Sequence, residues 1–191
     1  MWRCSVTEKV HNTLASLVQQ MAGQDVTACY QCGKCTAGCP MTTFMDLTPN
    51  QVMRLVQIGD EQAVEALLTS SAIWSCAGCL TCTQRCPKEL DPAAVMDALR
   101  ELSHERGKVS PRQRKVLAFH KAFLKTVQKA GRMSEIPLVA RYKMTSFDLF
   151  SDVPLAPVML AKGKLPLKMH KIAGRKEVQR IFQACRKGGT R

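Results

Sequence analysis

Aromatic residues are scarce in this sequence, which has two Trp, two Tyr and six Phe among 191 residues. The core must therefore be built mainly from aliphatic side chains and methionine. No run of 18 or more apolar residues occurs, so we expect no membrane-spanning helix. Charges at Arg3, Glu8 and Lys9 are not preceded by an apolar segment. We therefore expect no signal peptide, and a cytoplasmic location in which thiols stay reduced.

Motifs for nucleotide binding and hydrolysis are also absent. No G-x-G-x-x-G motif follows a strand pattern and no Walker loop occurs, so the sequence offers no flavin, nicotinamide or nucleotide site. It contains neither a Ser/His/Asp arrangement nor a zincin motif. The four histidines are scattered and are assigned to no site; they are His11, His104, His120 and His170. We expect no catalytic residue in this chain.

The whole chain has a formal net charge of +13, and its positive charge is concentrated in the second half. Residues 1–99 hold six basic and nine acidic side chains, whereas residues 100–191 hold 22 basic and six acidic ones. Such asymmetry is typical of a surface that meets an acidic partner. The basic residues are widely spaced, with few aromatics among them and no nucleic-acid-binding motif. We therefore favour protein docking over nucleic-acid binding.

Helical periodicity dominates, and no alternating strand pattern is found, so the chain is predicted to be mostly α. Residues 132–173 are expected to be irregular with brief helices, since they hold four of the nine prolines. The expected helices are one after a capping box at residues 5–8 that ends near Gly23, one from Thr48-Pro49 to near Gly59, one capped by Asp60, one from Asp91-Pro92 to near Gly107, one from Ser110-Pro111 to near Gly131, and a last one over 174–187.

Eight of the ten cysteines form two runs with the same internal spacing. The first run, residues 29–40, reads CYQCGKCTAGCP, and the second run, residues 76–87, reads CAGCLTCTQRCP. Their cysteines repeat at an offset of 47 residues; they are Cys29, Cys32, Cys35 and Cys39, then Cys76, Cys79, Cys82 and Cys86. Cys-x2-Cys-x2-Cys-x3-Cys-Pro is the ligand pattern of a pair of [4Fe–4S] clusters. The two remaining cysteines, Cys4 and Cys185, are interpreted as ordinary thiols.

In two-cluster ferredoxins the fourth cysteine of each run serves the other cluster. The predicted assignment is therefore crossed. Cluster one takes Cys29, Cys32, Cys35 and Cys86, and cluster two takes Cys76, Cys79, Cys82 and Cys39. Structural zinc, disulfides and a thioredoxin-type redox pair fit the spacing less well. Gly33, Gly38 and Gly78 are expected to let backbone amides approach the cluster sulfides, or simply to fit tight turns.

The two runs, above all the segment CGKCTAGCP, resemble those of the C subunits of heterodisulfide reductases. The resemblance extends to a leading helix, to helices between the runs, and to a basic tail around Gly174-Arg175-Lys176-Glu177-Val178. It implies an α-helical ferredoxin similar to the C-terminal part of the succinate dehydrogenase iron–sulfur subunit, with two [4Fe–4S] clusters. The implied role is a non-catalytic relay in a heterodisulfide reductase-like hetero-oligomer. Electrons would pass from a flavin-containing A subunit to a B subunit whose CCG domains reduce a disulfide. This chain has no CCG motif of its own.

The resulting domain prediction has three parts, which are an amphipathic helix over 1–25, the α-helical ferredoxin domain over 26–107, and a basic extension for subunit docking over 108–191. An alternative function is the iron–sulfur subunit of a glycerol-3-phosphate, lactate or succinate/fumarate oxidoreductase. That alternative expects a fused CCG region or a plant-type ferredoxin domain, and neither is present. A second alternative is a nucleic-acid-binding protein with structural clusters.

Overall fold

A computed structural model describes residues 13–146, 155–163 and 172–188. All regular elements within these ranges are helical, so the expected mainly α fold is confirmed. The capping box expected at residues 5–8 lies outside the described residues. The chain divides between Gln113 and Arg114 into two compact units, called here the first and the second unit.

The first unit contains the four longer helices that periodicity predicts, together with short helices and turns in and around the cysteine runs. Its α-helices are α1 (Leu14–Ala22), α2 (Lys34–Ala37), α3 (Pro49–Ile58), α4 (Glu61–Thr69), α5 (Ala72–Ser75), α6 (Thr81–Gln84) and α7 (Pro92–Glu105). Short 3₁₀ turns lie at Val26–Ala28, Thr42–Phe44 and Pro111–Gln113. The helices α2 and α6 each form a single turn inside a cysteine run, and they pack beside each other.

Local side-chain chemistry sets the ends of the longer helices. Thr48 and Gln51 form a capping box at the start of α3, and Gly59 ends that helix at φ 61°, a left-handed conformation that favours glycine. The side chain of Asp60 accepts a hydrogen bond from Ala63 N at 2.7 Å at the start of α4. Asp91 caps α7 in the same way. These four boundaries agree with the sequence prediction.

The core of the first unit lies where α1, α3, α4 and α5 meet α7. It is aliphatic, and its fully buried side chains include Val18, Val52, Leu67, Ile73 and Leu99. Each such side chain contributes about 1.5–3 kcal/mol through removal of its apolar surface from water. The core fixes α3 and α7, the two helices that each follow a cysteine run.

The second unit consists of α8 (Arg114–Ala130), α9 (Glu135–Ser146), α10 (Leu155–Ala161) and α11 (Arg175–Gly188) among the described residues. The helix α8 packs against α9 and α11 through small buried residues such as Ala118, Ala122 and Thr126. Residues 135–146 form a longer helix than the brief ones expected there. Pro137 is tolerated because it lies in the first turn, where backbone N–H groups have no partner within the helix.

Asp46 ties the segment that follows the first run to the start of α5. Its Oδ1 accepts hydrogen bonds from Ser70 Oγ at 2.6 Å and Ala72 N at 2.9 Å, and its Oδ2 accepts one from Ser71 N at 2.8 Å. Burial alone would raise the pKa of Asp46, but the hydrogen bonds together lower it. The ionised carboxylate is therefore the form that the fold stabilises.

Replacing Asp46 with asparagine is expected to lower the free energy of unfolding by about 1–2 kcal/mol, because the amide turns a donor towards the Ser71 N–H. Since the folded pKa lies below the unfolded one, the carboxylate stabilises the fold fully above the unfolded pKa, and this contribution is lost as pH falls through the folded pKa. Urea denaturation of the loaded protein measures the difference, with Glu101→Gln as the control. Equal stability of Asp46→Asn and wild type at neutral pH would contradict this account.

Candidate metal centres

The eight cysteines of the two runs divide into two sets of four, and each set lines its own cavity. The first cavity is lined by three cysteines of the first run and one of the second, Cys29, Cys32, Cys35 and Cys86. The second cavity is lined by Cys76, Cys79 and Cys82 with Cys39. The last cysteine of each run therefore lies beside the first three of the other run.

The two runs share an uncommon backbone conformation around their middle cysteines. Gln31 and Gly33 flank Cys32 with φ 62° and 76°, and Gly78 and Leu80 flank Cys79 with φ 62° and 59°. Left-handed residues curl a loop so that successive backbone N–H groups point to its inner side, where they can meet an anionic group. Gln31 and Leu80 adopt this conformation at a cost of about 1–2 kcal/mol each. The cost indicates that the rest of each loop requires the left-handed conformation.

The single-turn helix in each run is tied to the start of the next long helix through a threonine. Thr36 Oγ1 donates to Asn50 Oδ1 at 2.5 Å and accepts from Asn50 N at 3.0 Å. Thr83 Oγ1 donates to Asp91 Oδ1 at 2.7 Å. The threonines are 47 residues apart, so the offset found in the cysteines extends to the supporting contacts.

The first cysteine of each run is held by a long polar side chain that sequence reasoning missed. Gln57 Nε2 donates to Cys29 O at 2.8 Å and to Val26 O at 2.9 Å. Arg100 donates through Nη2 to Cys76 O at 2.5 Å and through Nε to Ile73 O. The available signal was positional, because each residue lies eight positions after the proline that starts its helix.

Thiol acidity differs within each run. Burial raises the pKa of the Cys35 and Cys82 thiols, which occupy the same position in their runs. Hydrogen bonding to the side chain and then to the backbone N–H of Thr81 lowers the pKa of the exposed Cys79 thiol. Metal ligation deprotonates a thiol outright, so all eight groups are available as thiolates once metal is bound.

The donor set of each cavity suits an iron–sulfur cubane. Within residues 13–146, 155–163 and 172–188, no three His, Cys, Asp or Glu side chains converge closely enough to hold one metal ion. A cubane needs no such convergence, because each of its four irons takes a thiolate at a separate corner. Methionines contribute to the walls; they are Met53 in the first cavity and Met41, Met45 and Met96 in the second.

The three glycines singled out in the runs have different local reasons. Gly33 and Gly78 belong to the left-handed positions described above. Gly38 has an ordinary φ of −98°, but a Cβ at this position would lie 2.7 Å from Arg85 Cδ. Gly38 therefore makes room for the Arg85 side chain between the runs. Of the two leftover cysteines, Cys185 is exposed on α11, and Cys4 lies outside the described residues.

Residues 25–90 match the family of 4Fe–4S dicluster domains. This range contains both runs and the helices between them. The C subunit of the ferredoxin:CoB-CoM heterodisulfide reductase of Methanosarcina acetivorans is 38% identical over 79 residues, which are 41% of this chain and 30% of the relative. The iron–sulfur C subunit of the CoB–CoM heterodisulfide reductase of Methanopyrus kandleri is 34% identical over 49% of this chain and 47% of the relative.

The chain is similar to C subunits of heterodisulfide reductases. A longer match is to the second iron–sulfur C subunit of the CoB–CoM heterodisulfide reductase of Methanocaldococcus jannaschii, which is 27% identical over 69% of this chain and 70% of the relative. The chain spans 30%, 70% and 47% of the length of these three relatives. The domain match supports binding of 4Fe–4S clusters by the two runs, and the relatives are named as subunits of heterodisulfide reductases. Among the described helices, none is both long and apolar enough to span a membrane.

Proposed function

We propose that this chain relays single electrons through two [4Fe–4S] clusters, one in each cavity. The observation that carries the proposal is the division of eight cysteines into two sets of four. It supports the crossed assignment, with Cys29, Cys32, Cys35 and Cys86 on one cluster and Cys76, Cys79, Cys82 and Cys39 on the other. When bound, each cluster supplies a reversible one-electron acceptor whose potential depends on its surroundings.

The protein contributes position and insulation rather than bond chemistry. The residues beside Cys32 and Cys79 are left-handed, a conformation that turns backbone N–H groups to the inner side of a loop, where hydrogen bonds to sulfur would stabilise a reduced cluster. With four thiolates to each cubane, every iron has its full set of protein ligands and no iron position remains open for a substrate. The chain is therefore a non-catalytic part of an oxidoreductase.

The names of the relatives suggest a larger assembly. All three are C subunits of heterodisulfide reductases. By this relationship the chain is one component of a heterodisulfide-reductase-like hetero-oligomer, and it passes electrons from a flavin-containing A subunit to a disulfide-reducing B subunit with CCG domains. A cytoplasmic location accords with eight thiolate ligands, which must stay reduced to hold iron.

The second unit offers a surface for such a partner. A groove between α8 and α9 is bordered by three exposed cationic side chains, Lys125, Lys129 and Arg141, and no acidic residue lines it. Its floor includes the buried Thr126. The groove therefore fits an acidic segment or surface of a partner protein, and the attraction would be screened by salt.

Affinity purification of the full-length chain from its native host tests the assembly. We expect a flavoprotein and a CCG-domain protein to co-purify with it, and the charge-reversed triple variant of Lys125, Lys129 and Arg141 to glutamate to lose at least one of them. The matched control reverses the charges of three other residues to glutamate. They are Lys121, Lys176 and Arg180, which are exposed and do not line the groove. If the cluster-loaded chain purifies with neither protein under low-salt anaerobic conditions, the proposed assembly is contradicted. If both triple variants retain the partner proteins equally well, docking at the groove is contradicted.

A further inference from the structure

Gln57 and Arg100 perform the same structural task in the two halves of the first unit. Each lies eight residues after the helix-starting proline, Pro49 in α3 or Pro92 in α7. Each donates to the carbonyl oxygen of the first cysteine of the preceding run, and to that of the residue three positions earlier. The task is thus performed once by a neutral amide and once by a guanidinium.

The charges around these two donors also differ. Arg100 is paired with Asp97, one turn earlier, at 2.8 Å, and the exposed fractions of the two side chains are 22% and 70%. At the equivalent place, the exposed Arg54 donates to Gln57 Oε1 at 3.3 Å. Water screens the outer charges of Asp97 and Arg54 more strongly than the partly buried Arg100. The less screened charge beside the second run's first cysteine is therefore the Arg100 guanidinium, which donates to Cys76 O.

Other cations near the cavities are less favourably placed. Lys34 lines the first cavity but is exposed, so its charge is screened. Arg85 is also exposed, and its side chain lies against Gly38 between the two runs but lines neither cavity. Arg100 alone among these cations donates to the backbone of a run's first cysteine.

We propose that Gln57 and Arg100 are paired positioning residues for the first cysteines of the two runs, and that the charge of Arg100 raises the reduction potential of the second cluster. This inference rests on the proposed function. A reduced cluster carries one more negative charge than an oxidised one, so a nearby cation stabilises the reduced form.

Substitutions at the two equivalent positions separate the hydrogen bonds from the charge. Arg100→Gln installs the side chain that already performs the task at position 57; it keeps an amide donor and removes the charge together with the ion pair to Asp97. Arg100→Met removes both the donor and the charge. Gln57→Arg adds a charge at the first run. Each full-length protein is reconstituted anaerobically, analysed for iron, and titrated with EPR detection.

Arg100→Gln is expected to keep its iron and to lower the midpoint potential of the second cluster, leaving that of the first unchanged. The second cluster is the one whose EPR signal Cys79→Ser alters. Gln57→Arg is expected to raise the potential of the cluster whose signal Cys32→Ser alters. Arg100→Met is expected to lose iron from the second cluster first, since its ligand loop is no longer held.

Unchanged potentials in an Arg100→Gln protein that holds its full iron would overturn the electrostatic role of Arg100. If Arg100→Gln loses iron as readily as Arg100→Met, the electrostatic role is tested with Gln57→Arg instead. An unshifted potential of the first cluster in Gln57→Arg then overturns the proposal. Iron loss by Arg100→Met that is equal to that of wild type would overturn the positioning role. A wild-type protein with four or fewer irons at full occupancy would instead contradict the proposed function itself.

Discussion

Replacing Cys39 with serine is expected to damage the second cluster and to leave the first one intact. Although Cys39 belongs to the first run, it lines the cavity of Cys76, Cys79 and Cys82. Wild-type protein should hold about eight irons as two cubanes, and the variant should fall towards about four as the under-ligated cluster is lost. The measurements are iron analysis and low-temperature EPR of the reduced protein.

Two comparison variants make the ligand assignment explicit. Cys79→Ser removes a neighbour of Cys39 in the second cavity, so its EPR spectrum should match that of Cys39→Ser. Cys32→Ser acts on the first cavity and should give a different residual spectrum. Cys185→Ser, on the exposed face of α11, serves as the control and should retain all of the iron. If Cys39→Ser resembled Cys32→Ser instead, the crossed assignment would be wrong.

Removing iron is expected to unfold the cysteine-bearing part of the first unit. The runs contain only single-turn helices and residues in left-handed conformations, which do not persist without something to organise them. Structural metal sites contribute on the order of 10 kcal/mol to folding. About 1 kcal/mol changes the melting temperature of a domain this size by roughly 4–8 °C. We therefore expect anaerobic chelation to lower the melting temperature by more than about 20 °C.

Far-ultraviolet circular dichroism during thermal unfolding measures this effect. The control is the same chelated sample after iron and sulfide are restored, which should recover the original transition. Amide hydrogen exchange would locate the change, with protection lost around both runs and best retained in α8 of the second unit. A chelated protein with the melting temperature of the loaded one would show that the clusters do not support the fold.

Features set by local chemistry were the most predictable part of the fold. Thr48, Asp60 and Asp91 were recognised as helix caps because each offers a side-chain oxygen to a nearby backbone N–H. Gly23 and Gly59 were recognised as helix ends, and both adopt positive φ. In contrast, α2, α5 and α6 contain four residues each, which is too short for a periodic pattern to appear.

The candidate site was predictable to a different degree. Spacing alone was enough to propose how the cysteines are shared, because the Cys-Pro at the end of each run marks a ligand that leaves its own loop. Gln57 and Arg100 were missed because their contacts are made to backbone carbonyls 28 and 24 residues away in sequence. A carbonyl acceptor exists at every position, so no side-chain pattern indicates which one a long donor will reach.

The exchange of the last cysteines between the runs also constrains how the protein is matured. While a ribosome is still making residues 40–75, the first set has three of its four cysteines, and the second set has only Cys39. The second set is complete only once Cys82 has been synthesised, and the first only once Cys86 follows. Each set also requires that the two runs have come together. Cofactor insertion would therefore follow translation of both runs, and a nascent chain arrested between them would be a poor acceptor for any cluster-delivery protein.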